Sequence, residues 1–227
     1  LYLTIENMVA RFLSFFIPIK AKVFSSKIND TLEVSWNNGK LVLDTPHTNY
    51  SYGNLQKILR KGLQTIGFHQ IKKMQSVLVL GLGAGSVIHT LRRDIGFGKK
   101  ITSVELDPTV LDIAKKYFKL DEFENHEIIL GDAFEFALKN TRHYDLILVD
   151  IFQDAEMPGF LFESYFVHHL QKMMRTNSYL LFNTITLVSE HTDRNTAYLK
   201  LFDSSEYYVR RLSKIQNHNE IIIIRKL

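Results

Sequence analysis

The sequence predicts an α/β fold: a Rossmann-like, seven-stranded, mostly parallel sheet with an antiparallel C-terminal hairpin, preceded by a small N-terminal β-meander. Three observations predict it. From Ser76 onward, short apolar strands alternate with amphipathic helices, the rhythm of a parallel sheet. A glycine-rich turn, Gly81-Leu82-Gly83-Ala84-Gly85-Ser86, directly follows the first of those strands. The last two strands are separated only by the stretch from Ser213 to Asn219, shorter than the roughly dozen residues a parallel crossover needs, so they pair antiparallel.

Each element has a local reason. Ile5, Met8, Val9, Phe12, Leu13 and Phe16 recur at helical spacing and give one apolar face. That face suits a helix docked on its own domain, docked on a second copy in a homodimer, or lying on a membrane surface. The run is broken by Glu6 and Arg11 and is shorter than the roughly 20 apolar residues a span requires, so it is no transmembrane segment. It also lacks the small-residue cleavage site of a leader. Val23–Ile28, Thr31–Trp36 and Lys40–Asp44 form the meander, turning at Asn29-Asp30 and Asn37-Asn38-Gly39, residues that tolerate the positive φ of tight hairpins. After a polar loop around Pro46, the spacing of Leu55, Ile58, Leu59 and Leu63 predicts a helix over Tyr52–Leu63. Residues 1–60 thus read as a helix-and-meander segment and 61–227 as a Rossmann-like domain.

Within that domain the strands are Val77–Leu80, Ile101–Glu105, Glu127–Leu130, Asp145–Val149 and Tyr179–Asn183, then Tyr207–Leu212 and Glu220–Arg225. Asp107-Pro108 opens a helix with an acid cap and a proline at the first helical position, its inner face being Leu111, Ala114, Tyr117 and Phe118. Further helices fall over Phe162–Met174 and Ser189–Phe202.

Composition narrows the chemistry. The chain has no cysteine, which excludes disulfides, thiolate metal sites and a cysteine nucleophile and fits a reducing cytoplasm. The net charge of +4 is spread over basic pairs scattered beside acids, so no nucleic-acid stripe forms. His168 and His169 are adjacent and diverge by about 100° on a helix, so they share no metal. No Gly-x-Ser-x-Gly elbow occurs.

The residues that carry chemistry sit at successive strand ends. Gly81, Gly83 and Gly85 allow a tight turn and close approach of a ligand, with the helix start expected to offer free N–H donors. Glu105, at the end of the second strand, is placed to accept hydrogen bonds from both ribose hydroxyls. Asp107 is expected to be a helix cap. Asp132, in Gly131-Asp132-Ala133 after the third strand, is placed to accept from an adenine amino group. Asp150 ends the fourth strand and borders the same crevice, where open α/β sheets bind ligands. A dinucleotide fits less well, because Ser86 stands where the third glycine belongs and Asp132 would have no role. No Gly-Lys-Ser/Thr follows the glycines, which disfavours phosphate transfer.

Val77–Ser86, Val104-Glu-Leu-Asp-Pro108, Gly131–Phe136 and Tyr144–Asp150 together resemble the polyamine (spermidine) synthase family, relatives of the class I methyltransferases. The resemblance runs over about residues 23–185 and includes Tyr50-Ser51-Tyr52. It implies S-adenosylmethionine, or its decarboxylated form, as cofactor. It assigns ribose to Glu105, adenine to Asp132, deprotonation of the acceptor to Asp150, and the acceptor side to Tyr52. Two departures bear on the reaction. The family's Asp-Ser/Thr-x-Asp-Pro reads Asp150-Ile-Phe-Gln-Asp154 here, so Asp154 takes over no role, and its Gln-Glu pair is Gly53-Asn54. These losses thin the acidic lining a polycation needs. Methyl transfer to a small-molecule acceptor is therefore expected ahead of aminopropyl transfer to an amine, with a non-catalytic nucleoside- or partner-binding descendant as the third reading.

Overall fold

The computed structural model describes residues 5–46, 49–153, 156–216 and 218–227. Helix α1 (Ile5–Leu13) leads into β1 (Ile19–Ser26), β2 (Asp30–Asn37) and β3 (Lys40–Asp44), which turn at Asp30 and at Asn38-Gly39 through positive φ. A fourth strand, β4 (Asn49–Ser51), completes an antiparallel sheet in the order β1-β2-β3-β4. Three residues are too few for a period, so β4 has no sequence signal of its own.

The apolar face of α1 is not docked on its own domain. Phe12 and Phe16 are 65% and 75% exposed, and Met8, Val9 and Leu13 are also open. What holds this segment is polar. Arg11 Nε donates to the Gly39 carbonyl (3.0 Å), Gly39 N–H donates to Ser14 Oγ (2.9 Å), and Asn38 N–H donates to the Ser14 carbonyl (2.9 Å). These bonds grip the β2–β3 turn and leave the greasy side outward. Among the described residues no helix is long and apolar enough to cross a membrane.

Next come α2 (Gly53–Ile66), α3 (Phe68–Lys73), β5 (Ser76–Leu80) and α4 (Ser86–His89), the last continuing through a wide π-helical turn to Ile95. They are followed by β6 (Lys100–Glu105), α5 (Pro108–Phe118), β7 (His126–Leu130), α6 (Ala133–Lys139) and β8 (Tyr144–Val149). The chain ends with α7 (Ser164–Met173), β9 (Met174–Ile185), α8 (Ser189–Leu199), β10 (Tyr207–Ile215) and β11 (Asn219–Lys226). Helices α3 and α6, of six and seven residues, are too short for periodicity to reveal.

The main sheet has the order β10-β11-β9-β8-β5-β6-β7. Pairs β9–β8, β8–β5, β5–β6 and β6–β7 are parallel, while β11 runs antiparallel to both β9 and β10. The predicted architecture is the one observed, with β11 the reversed strand. Strand alternation sends Val77, Val79, Leu146 and Leu148 into one apolar layer and Leu78, Leu80, Ile147 and Val149 into the other. Truncating any of these fully buried leucines to alanine costs about 2–5 kcal/mol. Helix α2 runs through residue 60 without a break and packs on β4 as well as on β9 and β11. It thereby presses the small sheet against the carboxyl edge of the large one. The chain reverses direction of winding on either side of β5, and the crevice opens there.

Candidate active site

A cavity of about 650 Å³ lies at the carboxyl ends of β5, β6, β7 and β8. Gly81, Gly83, Glu105, Asp132, Ala133 and Asp150 all line it. Six predicted positions from four separate strand ends therefore converge on one space. Gly85 and Tyr52 do not line it.

The glycine turn works by close approach. Gly81 has φ of 85°, and a Cβ on it would overlap the carbonyl oxygen of Asp150. Gly85 also has positive φ, and its Cβ would come 2.6 Å from a Leu120 methyl. It packs behind the turn, outside the cavity lining. The amides of the turn itself are spent. Gly81 and Leu82 donate to the Val104 carbonyl (3.1 and 3.2 Å), Gly83 to Glu105 Oε2 (2.8 Å), Ala84 to Ser51 Oγ (3.2 Å) and Gly85 to the Leu82 carbonyl (3.1 Å). A turn folded this tightly satisfies its own amides, as a buried backbone must.

Glu105 is 5% exposed. Its two oxygens accept from Gly83 N–H (2.8 Å) and Asp107 N–H (3.0 Å). Burial pushes its pKa above the usual carboxylate range, and those backbone bonds pull the other way. Asp107 is the helix cap expected, accepting from Thr109 N–H at 2.8 Å. It also accepts from Ser26 Oγ and from Asn29 Nδ2 (2.7 Å), which ties the meander to α5. Asp132 caps α6 by accepting from Phe134 N–H at 2.7 Å while lining the cavity beside Gly131 and Ala133.

Asp150 is half-buried, and its carbonyl lies against the backbone of Gly81. Its Oδ1 accepts from Asn183 Nδ2 at 2.8 Å. Loss of water raises its pKa to about 6, with the nearby Glu105 adding to the rise and the Asn183 bond opposing it. A carboxylate with a pKa near the working pH is suited to accept a proton.

Tyr52 is placed elsewhere. Its ring stacks on Phe118 (4.5 Å between centroids) and meets His89 edge-on, and its hydroxyl is buried without a partner among the described residues. The preceding residues take the position expected for it: Tyr50 and Ser51 line the cavity. Tyr52 lies just past the end of β4 with a φ of 69°, so the chain has left extended geometry where its ring meets Phe118. Asp154 and the side chain of Asn54 lie outside the described residues. Sequence reasoning also missed Asn183; its only signal is a polar amide closing an apolar strand.

The remaining wall is formed by Phe152, Ile185 and Leu187, with Gln216, His218 and Asn219 at the β10–β11 turn. Among the described lining residues the carboxylates are Glu105, Asp132 and Asp150, and there is no lysine or arginine. No group of three His, Asp or Glu able to hold a metal occurs among the described residues.

A nucleoside-sized cavity at the switch point of this sheet, with acids at three strand ends, is the arrangement of the class I S-adenosylmethionine-dependent transferase fold. Residues 56–201 match the family model described as the spermine/spermidine synthase domain, and the chain belongs to that family. The polyamine aminopropyltransferase of Vibrio vulnificus is 27% identical over 155 residues, covering 66% of this chain and 50% of that protein. The eEF1A lysine and N-terminal methyltransferase of Xenopus laevis is 27% identical over 161 residues, covering 66% and 22%. The structure of a spermidine synthase in complex with the transition-state analogue AdoDATO superposes with a TM-score of 0.71 at 15% identity, covering 92% of this chain and 73% of that one. The chain spans half or less of the length of these two curated relatives.

Proposed function

We propose that this protein transfers a methyl group from S-adenosylmethionine to a small acceptor, with Asp150 receiving the acceptor's proton. The observation that carries this reading is how the carboxylates are divided. Glu105 and Asp132 sit at the ends of β6 and β7, the nucleoside side, which leaves Asp150 as the one further carboxylate among the described lining residues, on a cavity also lined by Phe152, Ile185 and Leu187. One carboxylate suits one nucleophilic nitrogen or hydroxyl. A polyamine brings two or more ammonium groups, each of which loses hydration on entry and needs its own acceptor.

The residues fit the cofactor. Gly81 and Gly83 present no side chain to the cavity, and Glu105 supplies a buried carboxylate for the ribose, exchanging its Gly83 bond for a hydroxyl. Asp132 and Ala133 would hold the adenine edge. S-adenosylmethionine, when bound, supplies a methyl carbon activated by its sulfonium. The chain aligns the acceptor, excludes water with its apolar wall and takes up the proton.

A second reading is aminopropyl transfer from decarboxylated S-adenosylmethionine, and one observation favours it. With no lysine or arginine among the described lining residues, an intact donor's carboxylate has no cationic side chain to meet. Calorimetric titration with S-adenosylmethionine, its decarboxylated form, methylthioadenosine and NAD separates the readings. Tightest binding of the intact donor is the expected outcome. Preference for the decarboxylated donor, with consumption of putrescine, would replace methyl by aminopropyl transfer. Binding of none by folded protein would favour a partner-binding descendant.

A further inference from the structure

Asn183 is fully buried near the end of β9, following Leu180-Leu181-Phe182. A buried amide is costly unless both of its ends are bonded. Here both are. Its Nδ2 donates to Asp150 Oδ1 at 2.8 Å, and its Oδ1 accepts from Asn219 Nδ2 at 3.2 Å. Strand register explains the reach. Phe182 pairs with Val149 on β8, and Asn183 pairs with Ile221 on β11, so Asn183 stands between the strand that carries Asp150 and the one that carries Asn219.

The two ends of an amide are chemical opposites, donor and acceptor. Asn219 offers a donor, which turns the Asn183 carbonyl toward β11 and its NH₂ toward Asp150. An NH₂ so held complements a carboxylate and offers nothing to the O–H of a protonated acid. We infer that Asn183 is the positioning residue for Asp150, and that Asn219, by fixing the direction of the Asn183 amide, holds Asp150 in its proton-accepting form. The inference rests on the proposed function only for the use made of that proton. The hydrogen-bond lock itself does not depend on it.

Two other titratable groups bear on Asp150, Glu105 from β6 and Tyr50 from β4, and His218 at the β10–β11 turn lines the same cavity. They must be separated from the lock. Asn183→Leu keeps the volume and removes only the polar ends. Asn219→Leu, at a half-buried site, removes the lock and leaves Asn183 in place.

The test is a pH titration of ¹³C-labelled aspartate carboxyls by NMR in the intact chain, with Asp150→Asn identifying the resonance. Asn183→Leu is expected to raise the Asp150 midpoint by about one pH unit, as loss of a hydrogen bond to the charged form does. Asn219→Leu should raise it by less, and Glu105→Gln should lower it by removing a like charge. If Asn183→Leu does not fold, Asn219→Leu carries the test. A midpoint unmoved in the folded variants, with only the melting temperature reduced, would overturn the inference and leave Asn183 a packing residue. Once an acceptor is known, the acid limb of kcat/KM should move with the midpoint. If the midpoint moves but no acceptor is ever turned over, the lock stands and the proposed function falls.

Discussion

The ends of β6 and β8 make an instructive pair. Each carries a carboxylate, buried for Glu105 and half-buried for Asp150, each lines the same cavity, and loss of water raises both pKa values. Glu105 answers two backbone amides, from Gly83 and Asp107, so it also holds the glycine turn and the entry to α5 in place. Asp150 answers one side-chain amide. Glu105 is thus tied to its own loop, whereas Asp150 is tied to a side chain of β9 that Asn219 bonds in turn. The two acids differ in what holds them, although the sequence presents both simply as an acid after a strand.

The sharpest way to break this comparison is to push the two ends apart. Gly81→Ala places a methyl group on the Asp150 carbonyl in a backbone conformation disfavoured for any side chain. A stability loss of roughly 3 kcal/mol or more is expected, with loss of nucleoside binding, read by urea unfolding and calorimetry. Glu105→Ala removes the holding acid. Affinity for S-adenosylhomocysteine should drop by about two orders of magnitude or more, since it takes a charged hydrogen-bond acceptor from the ribose. Unchanged affinity would reassign the ribose site.

Asp150→Asn tests the other half. Turnover should fall by about 10²–10⁴, the usual contribution of a positioned base, while S-adenosylhomocysteine affinity stays within a few-fold. The same substitution has a stability signature. The folded pKa of Asp150 is raised to about 6 from 3.8, so its contribution is neutral below about pH 4 and becomes destabilising as pH rises through 6. Asp150→Asn should therefore match the parent at pH 4 and exceed it by about 1–3 kcal/mol at pH 8, by urea unfolding at the two pH values. The smallest effect is expected for Tyr52→Phe. Its hydroxyl is buried with no partner among the described residues, so removing it should be neutral or stabilising by up to about 1 kcal/mol. Donor affinity should not change. A hundredfold loss of binding or turnover would return Tyr52 to the site.

Much of this was legible because it is local. Strand, glycine turn and helix follow one another within about ten residues around Leu80, and Asp107-Pro108 announces both a cap and a helix start. Short elements were not legible. Helices α3 and α6 and strand β4 are too brief to show a period, and the placement of Tyr52 against Phe118 goes with a positive φ of 69° just past the end of β4, which no local pattern announces. Which amides of the glycine turn are spent depends on Val104 and Glu105 of β6 and on Ser51 of β4, which arrive from two other segments.

The sequence by itself determined the layered α/β architecture, the reversed closing hairpin and the six positions that meet in the cavity, because periodicity, turn chemistry and strand-end placement are properties of neighbouring residues. Tertiary structure alone decided that α1 shows its apolar face outward, that Asp150 is raised to about 6, and that Asn183 and Asn219 stand behind it. Burial and hydrogen-bond partnership between residues 33 and 36 positions apart are set by which strands lie side by side. No run of adjacent letters records that.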